Sequence, residues 1–220
     1  ETRPREYYFL ENQRKTRNVQ SESVRELELY PVLSKFLLLE YKVYSKRIDE
    51  KRSINSQGKN GNKWLHPDIV GIEDLSSDWH NEIKYCSKEY SYKKTKLWSF
   101  EVKKTITRSN IREIFFQAVS NSSWANFGYL VTQNIEGANT EKELNILSGL
   151  HGIGVIILNV NNFSESQFLI QAKEKSEIDW HTINRIAEEN KDFLDYIKQI
   201  RQFYQTGEIK KSDWFYEELF

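Results

Sequence analysis

The 220-residue chain balances 32 Lys and Arg against 32 Asp and Glu, and a net charge of zero argues against a simple polyanion-coating protein. Aromatic residues make up 14% and charged residues 29%, which leaves enough apolar surface for one principal domain with a sizeable core and excludes wholesale disorder. No apolar run approaches the roughly 20 residues of a membrane helix, the start ETRPREYYFL lacks a signal peptide's apolar core, and the lone Cys86, expected to be structural, can form no internal disulfide, so a cytoplasmic location is expected.

Residues 1–20 are polar without a sustained period, as a linker or loosely docked arm would be. The chain holds no methionine, which fits an excised piece of something longer with a domain upstream. From Ser23 the pattern turns helical. Glu26, Leu29, Leu33, Phe36 and Leu37 recur on one face at spacings of three and four, with Pro31 in the first turn or at a kink. RIDEKRSINSQGKNGNK reads as a loop punctuated by Gly58 and Gly61.

Strands are predicted at 68–72 and 97–103; in the second, Trp98, Phe100 and Val102 form a core face and Ser99, Glu101 and Lys103 a charged one. The segment between them is expected to add a strand or an ordered loop. Ser109 is expected to cap a helix whose stripe is Ile111, Ile114, Phe115, Ala118 and Val119. A short strand FGYLVT, a helix near 141–150, an interior strand GVIILNV and an edge strand QFLIQAK follow. From Asp179 to Gln205 one long helix is expected, with Ile183, Ile186, Phe193, Ile197 and Ile200 near one face. The fold class is α/β: a central mixed sheet flanked by helices over 21–175, with a helical extension over 176–220 packed on it.

Two stretches concentrate positive charge. One runs from Lys84 to Arg112, with Tyr85, Tyr90 and Tyr92 interleaved, and the other comprises Lys42, Lys46, Arg47, Lys51 and Arg52. Either is an ordinary solvated face unless it flanks a site.

The chemistry centres on WLHPDIVGIED and LWSFEVKK. Glu101 and Lys103 share a strand face, and Asp68 opens the preceding strand, although Pro67 and Asp68 alone would read as a turn. If the strands pair, Asp68 and Glu101 can share a divalent cation with Lys103 beside it. Two carboxylates suit Mg²⁺, with Mn²⁺ as a substitute, because Mg²⁺ prefers few protein ligands plus water and phosphate oxygens. Such an ion activates water and polarises a phosphoryl group, while an ammonium orients the nucleophile or offsets developing charge. Glu73 and Asp74 are spare ligands or a strand-ending turn, and His66 is a ligand or a loop residue.

Pro67 and Asp68, then Glu101, Val102 and Lys103, resemble the PD-(D/E)XK nuclease superfamily. More narrowly, RELELYPVLSKFL, WLHPDIVGIED and FFQAVSNSSWANFGYLV resemble the HrgA-like restriction-associated bacterial proteins over roughly 23–160. The resemblance implies a restriction-endonuclease-like core and Mg²⁺-dependent hydrolysis of DNA in bacterial restriction or defence. It also implies a third acid from the first helix. Glu26 and Glu28 are the candidates, and Glu26 shares the apolar stripe. Gln117 matches a downstream Gln of some branches, but Asn121 stands where a Tyr would follow four residues later. Lys93, Lys94, Lys96, Lys104, Arg108 and Arg112 are the expected DNA contacts, the lysines ahead of Glu101 bordering the site. Members often carry an N-terminal winged-helix region, so an upstream DNA-recognition domain is expected outside this chain. A homodimer is compatible with cutting both strands. SDWFYEELF serves dimerisation or closes the core.

No nucleophile elbow, P-loop or zinc-protease helix is present in the sequence. The alternative is a catalytically silent nucleic-acid-binding or assembly domain of the same fold.

Overall fold

Strand β3 (Thr95–Ile106) is the longest in a six-stranded sheet and lies in its interior. The computed structural model describes residues 26–54, 56, 58, 62, 64–89 and 94–214; the N-terminal arm, Ser23, Lys93 and residues 215–220 lie outside them. The sheet order follows the chain: β1 (Val43–Arg47), β2 (Ile69–Asp74), β3, β4 (Phe127–Ile135), β5 (Gly154–Ile157) and β6 (Gln167–Ile170). The β1–β2, β2–β3 and β5–β6 pairs are antiparallel, and β3–β4 and β4–β5 are parallel. Helices α3 (Ile111–Asn121) and α4 (Ala138–His151) provide the crossovers that the parallel pairs require.

Helix α1 (Leu29–Tyr41) has Pro31 in its first turn, where a missing N–H costs no helical hydrogen bond. Its buried Leu29, Leu33, Phe36 and Leu37 pack on Ile69, Phe100, Val102 and Val131. The opposite face of the sheet is covered by two clusters. Ile183, Ile186, Phe193 and Tyr196 pack with Val70, Ile72 and Leu97, while α3 and α4 pack with Leu130 and Val155. The resulting architecture is α/β, a mixed sheet flanked by helices.

Coverage on both sides corrects the expectation that β3 has one core face and one charged face. Ser99 and Glu101 are both 1% exposed, and Ser99 Oγ donates to the Asn121 carbonyl at 3.1 Å. The segment between β2 and β3 forms helix α2 (Asn81–Glu89) rather than a strand, and Cys86 on it is exposed rather than packed. Asn110, not Ser109, precedes α3; its Oδ1 accepts from Thr107 N and its Nδ2 donates to the Thr105 carbonyl.

The long C-terminal helix is two: α5 (Trp180–Glu189) and α6 (Lys191–Thr206). Asn190 separates them with extended backbone, φ −127° and ψ 123°, and its side chain caps α6 by accepting from Asp192 N and Phe193 N. Trp214 closes the core against Tyr44 and Tyr196. Among the described residues, no helix is long and apolar enough to cross a membrane.

Candidate functional site

Pairing of Ile69 with Phe100 across β2 and β3 sets Asp68 beside Glu101 at the end of the β2–β3 ribbon. Asp68 Oδ2 accepts from Val102 N at 2.8 Å, which ties the carboxylate to the neighbouring strand. Lys103, two residues beyond Glu101 on the same side, places Nζ 2.5 Å from Glu101 Oε1 and 3.8 Å from Asp68 Oδ2. One ammonium thus serves both carboxylates. On the other side Asn121 Nδ2, at the end of α3, donates to Glu101 Oε2 at 2.7 Å. Among the described residues the buried Asn121 Oδ1 has no hydrogen-bond partner. An unsatisfied buried acceptor costs about 1–3 kcal/mol, so the amide orients Glu101 at some expense to stability.

Burial, followed by the charge of Asp68, pushes the Glu101 carboxyl up to about 8, against the opposing effects of Lys103 and Asn121. Burial pulls Lys103 the other way, yet Glu101, Asp68 and Glu26 outweigh it and hold the ammonium above its ordinary range. The Tyr30 phenol is raised far above its usual value by burial and then by Asp68, Glu26 and Glu101. The four acidic and phenolic groups therefore share one electrostatic neighbourhood.

A cleft of about 380 Å³ opens here, and Glu26, Tyr30, Asp68 and Gln117 line it. Glu26 faces the cleft whereas Glu28 is exposed, which separates the two candidates that the sequence offered. Arg47, Lys51, Trp64 and His66 also line the cleft. β1 brings Arg47 there because it pairs with Ile69, and Ile48 N donates to the Asp68 carbonyl at 2.9 Å. The Arg47 guanidinium lies over the Tyr30 ring, 5.7 Å from its centroid. His66 Nε2 is 3.2 Å from Ser53 Oγ.

The loop after β1, which carries Lys51, is braced by the α5–α6 junction. Asn190 Nδ2 donates to the Asp49 carbonyl and to Ser53 Oγ, both at 2.9 Å. Asp192 accepts from Asp49 N at 3.0 Å and pairs with Arg52. Glu189 accepts from Asn62 Nδ2 and Ser56 N, each at 3.2 Å. Sequence reasoning missed this bracing. The Asn within EENKD, a good cap residue, was the signal that could have found it.

The expected DNA contacts are placed unevenly. Lys93 lies outside the described residues. Lys94 is buried, with Nζ donating to the Lys84 carbonyl at 2.7 Å. Lys96 pairs with Glu174, and Arg112 Nη2 lies 2.6 Å from Glu143 Oε1. Lys96 precedes Glu101 by five residues in β3, roughly 17 Å at the rise of a strand. Lys94 and Lys96 therefore occupy the far end of the ribbon rather than bordering the site. Lys104 and Arg108 follow Lys103 on the near side, half-buried and exposed respectively. Glu73 and Asp74 also sit at the far end, Glu73 accepting from Trp98 Nε1 at 3.1 Å and Asp74 from Ser76 N at 2.8 Å.

Among the described residues, no three His, Cys, Asp or Glu side chains gather as a metal cluster. Glu26 and Asp68 line the cleft, whereas Glu101 is buried behind Asp68 and is not among the lining residues.

No family model matches this chain, and no curated protein does. A protein of unknown function from Silicibacter pomeroyi is similar in backbone at a TM-score of 0.41, with 10% identity over 81% of this chain and 90% of that one.

Proposed function

We propose that the protein is a Mg²⁺-dependent endonuclease that hydrolyses DNA phosphodiester bonds, of the PD-(D/E)XK kind, working in the bacterial cytoplasm in restriction or defence. The observation that carries this reading is the single Lys103 ammonium shared by Asp68 and Glu101. The donor set fits the ion. Mg²⁺ needs only one or two carboxylates beside water and phosphate oxygens, and a cation between the two acids would offset both the burial of Glu101 and, after it, the repulsion from Asp68 that raise its carboxyl. Asp68 and Glu101 would hold Mg²⁺, with Glu26 reaching it from the α1 side, and the bound ion would supply Lewis acidity at the phosphate.

The chain's own groups account for the rest. Asp68, fixed by Val102 N, lines the cleft. Asn121 holds the plane of Glu101. Lys103 orients the attacking water and offsets charge developing on the phosphate. Gln117, on the cleft wall, contacts substrate or water. Cutting both strands would need two such sites, hence a homodimer, and sequence choice would fall to an upstream domain.

A catalytically silent DNA-binding domain is the second reading. It is favoured by Glu101 having both oxygens engaged, one by Lys103 and one by Asn121. Plasmid nicking in Mg²⁺ or Mn²⁺, with EDTA as control, separates the two readings. The parent protein should nick only with metal, and Asp68→Ala and Lys103→Ala should lose on the order of 100-fold or more in rate while keeping their circular dichroism. Nicking by both variants at the parent rate would sink the assignment, whereas salt-sensitive binding without nicking would favour the silent domain.

A further inference from the structure

Trp64 has a left-handed backbone, φ 56°. Bulky residues rarely adopt it, and such outliers persist only where their surroundings enforce them. Among the described residues the other non-glycine positive φ, at Lys42, has an ordinary cause because that residue ends α1. Trp64 ends no helix among the described residues. Its backbone is held from both sides of the loop. Ser120 Oγ donates to the Trp64 carbonyl at 3.0 Å, and the next residue, Leu65, donates its N–H to the Asn62 carbonyl at 3.0 Å. Asn62 is in turn bound to Glu189. Consecutive residues of α3 therefore fix two parts of the site: Ser120 holds Trp64 and Asn121 holds Glu101.

The half-buried Trp64 lines the same cleft as Asp68, together with Arg47, Lys51 and His66. The cleft therefore combines an indole and two permanent cations with the carboxylates of Glu26, Asp49, Glu50 and Asp68, and Arg47 Nη2 lies 3.9 Å from Asp49 Oδ2. Its volume of about 380 Å³ is at the small end of ligand sites, with room for one nucleotide but not for a base pair and its flanking strands. Base–aromatic stacking tolerates any sequence because every base has a π-face, and a guanidinium beside the phosphate supplies the charge.

We infer that Trp64 is a stacking platform for one unpaired nucleobase, whose adjoining phosphate lies against Arg47 and Lys51, so that the cleft takes DNA bearing an unpaired nucleotide. This rests on the nuclease reading for its substrate class but not for its binding test. The cations position the strand, the indole holds the base out of the duplex path, and the phosphate on the far side of that nucleotide reaches Asp68. A duplex would enter this cleft only at a single-stranded end, a flap or an extruded base.

The test is fluorescence anisotropy of a labelled single-stranded oligonucleotide in EDTA, with a single abasic site walked along it. The parent protein should lose about tenfold in affinity when the abasic site reaches the cleft. Trp64→Ala should bind the intact strand about tenfold more weakly and be indifferent to the abasic site, while Trp64→Phe should retain most of the parent affinity. Thermal melting of both variants within a few degrees of the parent keeps a folding defect from imitating the result. Equal affinity of parent and Trp64→Ala would overturn the platform even if plasmids are still nicked, as would additive losses from the variant and the abasic site. A parent that nicks duplex plasmid without binding single strands would also overturn it and leave the nuclease reading standing. Absence of both binding and nicking would remove both.

Discussion

The basic stretch at 42–52 and the basic stretch at 84–112 look alike in sequence, and the second is the richer in lysine. The fold uses them differently. In the first, β1 ends beside the start of β2, so Arg47 and Lys51 line the cleft that holds Asp68. In the second, the chain enters β3 from the opposite end of the ribbon. Lys94 is consumed by a backbone carbonyl, and Lys96 and Arg112 by carboxylates of their own surface. Charge density along a chain is therefore a poor guide to an anion site. What matters is which end of a strand each cation occupies, since carboxylates lie beside cations of both stretches, Asp49 beside Arg47 and Asp192 beside Arg52 included.

The largest effect should come from reversing the cleft cations. Arg47→Glu combined with Lys51→Glu should lower DNA affinity on the order of 100-fold at moderate salt, and the logarithmic salt slope should flatten by about 0.9 for each phosphate no longer neutralised. Lys96→Glu combined with Arg112→Glu, the same charge change on the richer stretch, should stay within about threefold. Filter binding over a range of salt concentrations ranks the pairs. If the second pair costs more than the first, the assignment of the two stretches is reversed.

The core of the candidate site was legible because it depends only on strand parity and order. Asp68 opens one strand, Glu101 and Lys103 share a face of the next, and the strands pair. The helix stripes at Leu29–Leu37 and Ile111–Ala118 were legible for the same kind of reason. Coverage was not. Nothing in the alternation of β3 says that a helix lies over Glu101, so its burial and its Asn121 partner could not be read. Nor could the break at Asn190, because apolar spacing carries across it in near register and the extended backbone is stabilised by contacts to Asp49 and Ser53 that are distant in sequence. Helix α2 was hidden by its charge, since most of its described side chains face solvent and leave little apolar period.

Burial of Glu101 has a consequence that sharpens the contrast between a site charge and a surface charge. An unfolded glutamate releases its proton near its ordinary value of 4.5, while folded Glu101 holds it to about 8. Between those values the unfolded chain binds fewer protons, so stability should fall as pH rises, with a slope approaching about 1.4 kcal/mol per pH unit for one full proton. Lys103 does not cancel this, because its stabilising contribution is lost only above the ordinary lysine range of 10.5. Denaturant titrations without metal should show the slope in the parent protein and its loss in Glu101→Gln. A parent whose stability rises over that window would contradict the burial argument.

The next effect down separates Lys94 from its neighbours. Lys94→Met keeps the buried stem and removes the Nζ hydrogen bond to the Lys84 carbonyl, which should cost about 1 kcal/mol and leave DNA affinity unchanged. Urea midpoints and the same filter assay measure the two effects, and a loss of affinity without a loss of stability would return Lys94 to the binding surface.

The smallest effect is expected at Lys96. Its pair with Glu174 looks strong on paper, yet the lysine side chain is 25% and the glutamate 45% exposed. Solvent screens the attraction, and ordering two long side chains offsets much of what remains, so exposed pairs of this kind contribute about 0.2–1 kcal/mol. Lys96→Ala should therefore shift stability by no more than about 0.5 kcal/mol, and DNA affinity by less than the scatter of the assay. If instead it weakens DNA binding as strongly as Arg47→Ala, then Glu174 must yield Lys96 to phosphate when DNA arrives. The ribbon would then carry anion contacts at both ends, and proximity to Asp68 would no longer be what separates Arg47 and Lys51 from Lys96.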